Sequence, residues 1–259
     1  MPRYKIANAC FVLLVLLLLA FDWQYFVQPY VYGVVLLLFF ALQAYCSFTI
    51  SSGFFIDAIC YSKESASAIA ITFDDGPILE KTDKILSILK DHDLESCFFC
   101  IGDRVTKHPE LVSRIHNDGH IVANHSYFHK WSFDLQSAKQ MEKELLETDN
   151  AIERIINSRP RYFRPPFGVT NPNLSEAVRL RGYQTVGWNV RSLDTVIKDP
   201  KKLLKRITKG LKGGDIVLFH DYSDQMLEVL PSFITHVNTI GLKIVRIDKL
   251  LGQNPYFEK

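Results

Sequence analysis

From residue 66 onward, short apolar segments alternate with longer amphipathic ones about seven times. The amphipathic segments repeat apolar residues at the helical period, as Ile85, Leu86 and Leu89 do. Glycines stand where such helices are expected to end, Gly182 among them. Strand, helix and strand repeated in this way predict βαβ units around a mainly parallel sheet.

The strand ends of this pattern carry polar residues. The predicted strands are SAIAITF, SCFFCIG, HIVAN, RYFR, YQTVGW, DIVLFH and LKIVRI. Asp74 and Asp75, His125, Arg164 and His220 each lie at or directly after the end of one of them. Catalytic groups gather at this carboxyl edge in open α/β sheets and in barrels alike, so periodicity alone does not decide between these two folds.

Residues 1–50 differ in composition from the rest of the chain. Two uncharged apolar segments, residues 6–21 and 30–48, lie here. The second approaches the ~20 residues that cross a bilayer, and the first is slightly shorter. Trp23 and Tyr30 lie between the two segments, where interfacial aromatic side chains are expected. The pattern predicts a hairpin of two transmembrane helices.

The orientation of such a hairpin is a separate question. Arg3 and Lys5 precede the first span, so the positive-inside rule places the N-terminus in the cytoplasm. Two crossings would then return the rest of the chain to the cytoplasm. A cleavable signal peptide followed by one span is the alternative, although no small-x-small cleavage site follows the first apolar segment.

Charge and cysteine content argue against two classes of protein. Thirty basic and twenty-eight acidic residues leave a formal net charge of +2, which is too small to indicate a nucleic-acid partner. Five cysteines, an odd number in a long chain, do not indicate a disulfide framework. Cys97 and Cys100 could be a redox pair, but residues three apart on a strand point to opposite faces, which favours core packing.

Two short motifs together suggest a metal site. HSYFH places His125 and His129 four apart, so both imidazoles can face one point if the segment turns helically. The spacing alone is common, and catalytic zinc usually takes three protein ligands. Asp75 can be the third, and Asp74 can then stay an ionised base beside a neutralised neighbour. The alternative is that one aspartate caps the helix beginning near Leu79.

Five motifs in order give the chain a resemblance to a known family. They are TFDDGP (72–77), HSYFH (125–129), RPPFG (164–168), NVRSLDT (189–195) and IVLFH (216–220). Over residues 66–252 the chain resembles polysaccharide deacetylases of the NodB-homology type, carbohydrate esterase family 4. The first motif is highly specific, and the ordered set is more so.

The resemblance implies a fold and a metal. The fold is an α/β structure, a distorted (β/α)7 barrel, here preceded by two N-terminal transmembrane helices. The metal is a divalent ion, usually zinc, held by Asp75, His125 and His129. Cobalt, nickel or manganese could replace zinc, because this set of ligands discriminates poorly among them.

The resemblance also implies roles for residues around the metal. Asp74 would be the general base, and His220 would protonate the departing amine. The backbone N–H of Phe167 would stabilise the oxyanion, a role that does not depend on the side chain. Arg164 would keep Asp74 ionised and oriented, and Asp194 would orient His220.

Two of these positions have plainer alternatives. Arg164 could form a surface salt bridge, although the neighbouring prolines and glycine fix the backbone around it. His220 could be a core histidine with satisfied hydrogen bonds. Asp221, beside it, is expected to cap the following helix.

Motif four departs from the family pattern. Arg191 stands where many relatives have Asp, and Thr195 stands where many have Trp. Arg191 introduces a positive charge near the site, which could bind an anionic group of a substrate. Without the Trp the groove could be more open. These departures bear on the substrate rather than on the chemistry.

The resemblance predicts metal-dependent hydrolytic N-deacetylation of a polysaccharide or oligosaccharide, such as chitin or peptidoglycan. Alternatives are deacetylation or deformylation of a lipid-linked sugar, O-deacetylation of xylan, and a non-catalytic glycan-binding module. The expected partners are a carbohydrate and a membrane, and the expected location is the bacterial cytoplasmic membrane. We expect a membrane hairpin at 1–50, a linker at 51–65, the deacetylase domain at 66–252 and a tail at 253–259.

Overall fold

A curled sheet of nine strands forms the centre of the structure, a computed structural model that describes residues 2–258. The seven segments predicted as strands all contain one. The strands are β1 (Ala58–Ile59), β2 (Ala68–Gly76), β3 (Cys97–Cys100), β4 (Ile121–Asn124), β5 (Tyr162–Phe163), β6 (Gln184–Val186), β7 (Val190–Arg191), β8 (Ile216–His220) and β9 (Lys243–Ile244). The two-residue strands β1 and β7 were not expected from the sequence.

Helices precede the sheet and pack around it. They are α1 (Arg3–Tyr25), α2 (Pro29–Phe48), α3 (Lys81–Asp91), α4 (Gly102–Lys107), α5 (Pro109–Asn117), α6 (Ala138–Ile156), α7 (Pro172–Arg181), α8 (Pro200–Thr208), α9 (Asp224–Thr239) and α10 (Ile247–Leu251). The short helices α4 and α10 carry too few turns to show an apolar period in the sequence.

The strands are parallel and curl into a barrel. Their order is β1-β6-β5-β4-β3-β2-β8-β7, with β9 beside the start of β2. An antiparallel bridge between Tyr61 and Asp215 connects the chain after β1 to the chain before β8. These two strands lie near opposite ends of the strand order. With its outer helices, the sheet is the distorted (β/α)7 barrel that the motifs predicted.

Capping residues account for the helix bounds. Ser137 accepts a hydrogen bond from the backbone of Gln140, whose side chain bonds back to the Ser137 backbone, so a capping box starts α6. The start of α9 corrects one expectation. Its cap is Ser223, whereas Asp221 is fully buried and accepts a hydrogen bond of 2.6 Å from the Thr82 hydroxyl.

The core occupies both faces of the sheet. Along β2, Ile71 and Phe73 belong to the cluster under α3, α5 and α9, while Ala70 belongs to a second cluster on the opposite face. Cys100 packs in the first cluster and Cys97 in the second, and both are fully buried free thiols. The expectation that these cysteines pack in the core is confirmed.

Helices α1 and α2 pack against each other as an antiparallel hairpin. The rings of Phe11 and Phe39 stack with centroids 3.8 Å apart, and Gln43 donates a 2.9 Å hydrogen bond to Asn8. Both helices are long and apolar enough to cross a membrane, and almost none of their residues are fully buried within the protein. A signal sequence would share this length and composition.

The segment between hairpin and barrel is built into the fold. Strand β1 pairs with β6, and Phe55, Ile56 and Cys60 are buried. Phe55 and Ile56 join the core cluster that includes Tyr183. The division of the chain at residue 66 stays a prediction, and these contacts connect the residues before it closely to the barrel.

Candidate active site

Polar side chains from five strand ends meet in one cleft of about 620 Å³, including its open mouth. The strands are β2, β4, β5, β7 and β8, whose carboxyl ends lie at the same edge of the sheet. The lining includes most residues expected from the sequence together with others, namely Asp74, Asp75, His125, His129, Phe167, Gly168, Trp188, Arg191, Leu193, Thr195, Val196, Leu218, His220 and Tyr222. Arg164 and Asp194 lie behind this lining.

A bulge in β2 explains why two adjacent carboxylates share the cleft. On a regular strand, neighbouring side chains point to opposite faces. Here the pairing of β2 with β3 shifts register between Asp74 and Gly76, and Asp75 takes a φ of 72°. The extra residue turns the Asp75 side chain to the face that Asp74 occupies. The helix-cap alternative fails, because the cap position of α3 is Glu80 and no side chain caps its first turn.

Asp75 and the two histidines form a compact group of possible metal ligands. The Asp75 Oδ1 atom lies 3.5 Å from Nε2 of His125 and 3.3 Å from Nε2 of His129. One ligand atom from each residue lies within 4.8 Å of the other two. Oδ1 of Asp75 is buried and has no hydrogen-bond partner among residues 2–258. A buried carboxylate oxygen without a partner is costly, and a cation between these atoms would satisfy it.

The protonation states of this group suit metal binding. Nδ1 of His125 lies 2.8 Å from the carbonyl oxygen of Arg164, which can only accept, so Nδ1 carries the proton and Nε2 offers a lone pair. Burial, and then the neighbouring His125, lower the pKa of His129 to about 4, so His129 is neutral at neutral pH.

The HSYFH segment reaches this geometry without a helix. It forms an irregular turn in which Ser126 and His129 have positive φ angles of 62° and 51°. The Asn124 side chain accepts from the backbone of Ser126, and the Ser126 hydroxyl accepts from the backbone of His129. The condition that the segment turns helically is therefore wrong, although the two imidazoles do come together, with centroids 4.8 Å apart. Strained φ angles of this kind persist where the surrounding structure holds them.

Arg164 is fully buried and holds Asp74. Its Nη1 donates to Oδ1 of Asp74 at 2.6 Å and to the Thr72 hydroxyl at 2.8 Å. Its other nitrogens donate to the carbonyl oxygens of Val186 and Gly187. With these acceptors and an exposed fraction of 0%, Arg164 does not form a surface salt bridge. The guanidinium fixes one carboxylate oxygen, and Oδ2 of Asp74 lies 3.8 Å from Nε2 of His125.

His220 and Asp194 form a second pair. Nδ1 of His220 donates to Oδ1 of Asp194 at 2.8 Å, and the backbone N–H of His220 donates to Oδ2 at 2.9 Å. Asp194 is fully buried and also accepts from the Ser192 hydroxyl. Burial lowers the pKa of His220, but the hydrogen bond and charge of Asp194, followed by Asp74 and Asp75, outweigh it, so the pKa is raised. Because Nδ1 is bonded to Asp194, Nε2 is the ring nitrogen of His220 that remains available to a group in the cleft.

Phe167 and the residues of motif four border the opening. The Phe167 ring lies 4.6 Å from the His129 ring, centroid to centroid, and Phe167 has a φ of 56°. Arg191 is exposed, with its guanidinium carbon 5.8 Å from the centre of the Trp188 ring. Thr195 also lines the cleft.

Sequence reasoning missed two aromatic residues of the cleft, Trp188 and Tyr222. Trp188 ends one predicted strand and Tyr222 lies two residues after another, close to the positions from which Asp74 and His125 were identified. Their aromatic type gave no sign of a catalytic role, because aromatic residues at strand ends more often pack in the core.

Comparisons with known proteins identify a matching family and several relatives. A family model described as polysaccharide deacetylase matches residues 61–186. The peptidoglycan-N-acetylglucosamine deacetylase PgdA of Listeria monocytogenes is 32% identical over 196 residues, which cover 74% of this chain and 41% of that protein. A peptidoglycan-N-acetylglucosamine deacetylase of Bacillus cereus is 32% identical over 188 residues, covering 71% of this chain and 87% of that protein.

A solved structure shares the architecture. The Bc1960 peptidoglycan N-acetylglucosamine deacetylase superposes with a TM-score of 0.72 and 25% identity, covering 76% of this chain and 93% of that structure. The chain spans less than half of the Listeria relative but most of the Bacillus cereus one. With a matching family model, a relative of this identity and coverage, and a shared fold, this chain belongs to the polysaccharide deacetylase family.

Proposed function

We propose that this chain is a metal-dependent hydrolase that removes acetyl groups from N-acetylated hexosamine units of a bacterial cell-wall polysaccharide. The observation that carries the proposal is the convergence of Asp75, His125 and His129 beside Asp74 and His220 in one cleft. The names of the relatives, which are peptidoglycan deacetylases, support peptidoglycan as the substrate class.

The donor set fits a divalent cation. Two imidazole nitrogens and one carboxylate oxygen are ligands that zinc takes in catalytic sites, where a fourth position stays open. The partnerless buried Oδ1 of Asp75 supports this assignment. When bound, such a cation supplies the positive charge that makes a water molecule more acidic and polarises the acyl carbonyl. Zinc is our choice, with cobalt, nickel or manganese as alternatives of similar ligand preference.

Asp74 is the proposed general base. Its carboxylate lies in the cleft beside the proposed ligands, and Arg164 binds one of its oxygens. That ion pair fixes the orientation of the carboxylate, so the second oxygen can accept the proton of the attacking water. The backbone N–H of Phe167 is the proposed donor to the oxyanion.

His220 is the proposed general acid. Asp194 holds its Nδ1–H, so Nε2 can deliver a proton to the nitrogen of the departing amine. A raised pKa keeps this histidine protonated over a wider range of pH. Asp194 acts through His220 and is a positioning residue.

Asp194→Asn is expected to move the alkaline limb of the kcat profile to lower pH. The acid must hold a proton, so activity falls as pH rises through the pKa of His220. Removing the negative charge lowers that pKa, and the fall then occurs earlier. The measurement is kcat against pH for acetate release, with Asp83→Asn, an exposed carboxylate, as the control. An alkaline limb that stays in place or moves upward would contradict the role of Asp194.

The direct test of the function is acetate release by the full chain in mild detergent. Oligomers of N-acetylglucosamine and intact peptidoglycan are the substrates, and acetylated xylan tests O-deacetylation. We expect release that dipicolinate abolishes and that added zinc restores. A chain that carries zinc, binds these glycans and releases no acetate from any of them would instead be a glycan-binding module.

A lipid-linked sugar is the second candidate substrate. The observation in its favour is the apolar hairpin built into the same chain and hydrogen-bonded to the barrel. We propose that α1 and α2 cross the bacterial cytoplasmic membrane as a hairpin. With the N-terminus inside, the barrel faces the cytoplasm and meets a lipid-linked precursor, whereas action on peptidoglycan requires a translocated N-terminus. Comparing kcat/KM for an isoprenoid-linked N-acetylhexosamine with that for the soluble oligomer separates the two candidates, since the enzyme should prefer the substrate that it meets at the bilayer.

A further inference from the structure

The length of α2 fixes where the membrane boundary must lie if the hairpin crosses it. The helix has 20 residues, from Pro29 to Phe48, and none is charged. Because a residue rises 1.5 Å along an α-helix, crossing ~30 Å of hydrocarbon takes about 20 residues. A span formed by α2 therefore uses all of the helix, and Phe48 lies at the interface between hydrocarbon and headgroups.

The same end of α2 is attached to the catalytic domain. The Ser47 hydroxyl donates to the carbonyl oxygen of Thr170 at 2.7 Å, and the Thr170 backbone donates to the carbonyl oxygen of Ser47 at 3.0 Å. Cys46 is buried in the core cluster that contains Phe133, a residue of the loop after β4. The parts of the domain that touch this helix end must then lie at the interface too.

The loop after β4 presents apolar side chains outward at this place. Phe133 points into the shared core, whereas Trp131 and Leu135 on either side of it are 78% and 77% exposed. Phe48, at the end of α2, is 77% exposed. The loop is fixed to the same part of the domain, since the Asn171 side chain, next to Thr170, donates to the carbonyl oxygen of Asp134. A single exposed apolar residue is common on protein surfaces, whereas several large ones close together mark an interaction site.

We propose that Trp131 and Leu135, together with Phe48, form an interfacial anchor that inserts into the headgroup region of the bilayer crossed by α1 and α2. Tryptophan is enriched at this depth, where its ring is apolar and its N–H meets water. The inference rests on the proposed membrane hairpin and not on the identity of the substrate.

The anchor fixes the position of the active site. Trp131 follows the proposed ligand His129 by two residues, which is at most about 7 Å of chain. The cleft is then held at the bilayer surface, and the glycan must reach it there. An enzyme on a flexible tether would instead sample a wide volume above the membrane.

The test is quenching of Trp131 fluorescence by brominated lipid. The full chain carries three tryptophans, so Trp23→Phe with Trp188→Phe leaves Trp131 alone. This protein is reconstituted into phosphatidylcholine vesicles brominated near the headgroup end of the acyl chains. We expect emission blue-shifted from that of a solvated indole and several-fold weaker than in unbrominated vesicles.

The matched control carries its only tryptophan at Ile240→Trp, with the three native tryptophans replaced by Phe. Ile240 is 44% exposed and lies before β9, at the opposite end of the barrel from the cleft. Its emission should not respond to bromine. If the multiple variants fail to fold, the quenching of the wild-type protein can be compared with that of Trp131→Phe. This single substitution of an exposed residue should remove much of the emission that bromine quenches.

Two outcomes would overturn the anchor alone. One is a Trp131 emission quenched no more than that of Ile240→Trp, while a protein with Trp23 alone is quenched, which would leave the hairpin intact. The other is a Trp131 emission that ignores bromine and changes with chito-oligosaccharide, which would make the loop a glycan-stacking surface. If Trp23 also fails to respond, the hairpin fails and the anchor fails with it.

Discussion

Asp74→Asn is expected to reduce acetate release by roughly 10²- to 10⁴-fold, the range typical of a lost general base. Asparagine matches the shape of aspartate but cannot accept the proton of the attacking water. The effect should fall on kcat with little change in KM, because the proposed role of Asp74 is in proton transfer from water and not in glycan binding. Zinc content should stay at the wild-type level, since Asp74 is outside the group formed by Asp75, His125 and His129.

The control is Asp103→Asn, which removes an exposed carboxylate paired with Lys107 and should leave kcat unchanged. Measured zinc content and unfolding midpoint separate a lost base from a damaged fold. An Asp74→Asn protein that is folded, loaded with zinc and as active as wild type would rule out Asp74 as the base.

Arg164→Met is expected to lower the free energy of unfolding by about 3–5 kcal/mol, as removing one partner of a buried ion pair does. The methionine fills part of the volume but leaves Asp74 charged without its cation. It also leaves Thr72 and the carbonyl oxygens of Val186 and Gly187 without their donor. Urea denaturation of the full chain in mild detergent, followed by tryptophan emission, measures the loss.

Arg114→Met is the matched control, because Arg114 and its partner Asp83 are both close to half exposed. Exposed ion pairs of this kind contribute about 0–1 kcal/mol, so the free energy of unfolding of this variant should be close to that of the wild type. The free energy of unfolding of Arg164→Lys should lie between those of Arg164→Met and Arg114→Met. Its ammonium keeps the charge but cannot reach all of the acceptors that the guanidinium binds. Equal losses for Arg164→Met and Arg114→Met would contradict the buried pair.

Most of the site was predictable because it depends on chain topology. Parallel strands bring their carboxyl ends to one edge, so Asp74, His125, Arg164 and His220 had to lie near one another once the strands were identified. The ordered motifs then supplied the roles. The two aspartates were recognised as a pair, although the sequence did not reveal how both could face the cleft.

The remaining features depend on geometry that patterns do not encode. The bulge at Asp75 and the positive φ of His129 arise from local register and hydrogen bonds, which have no period in the sequence. The two-residue strand β1 is too short to alternate visibly, and its segment was expected to be a linker. The attachment of Ser47 to Thr170 spans more than a hundred residues and could only come from the fold.

Anomalous X-ray scattering at the zinc edge, from crystals of the full chain grown with zinc, tests the central claim most directly. We expect one strong peak per chain, about 2.0–2.2 Å from an Asp75 oxygen and from Nε2 of His125 and His129. The Asp75→Asn protein should lose most of that peak. A peak elsewhere, or none in contact with all three residues, would contradict the assignment of a metal-dependent deacetylase.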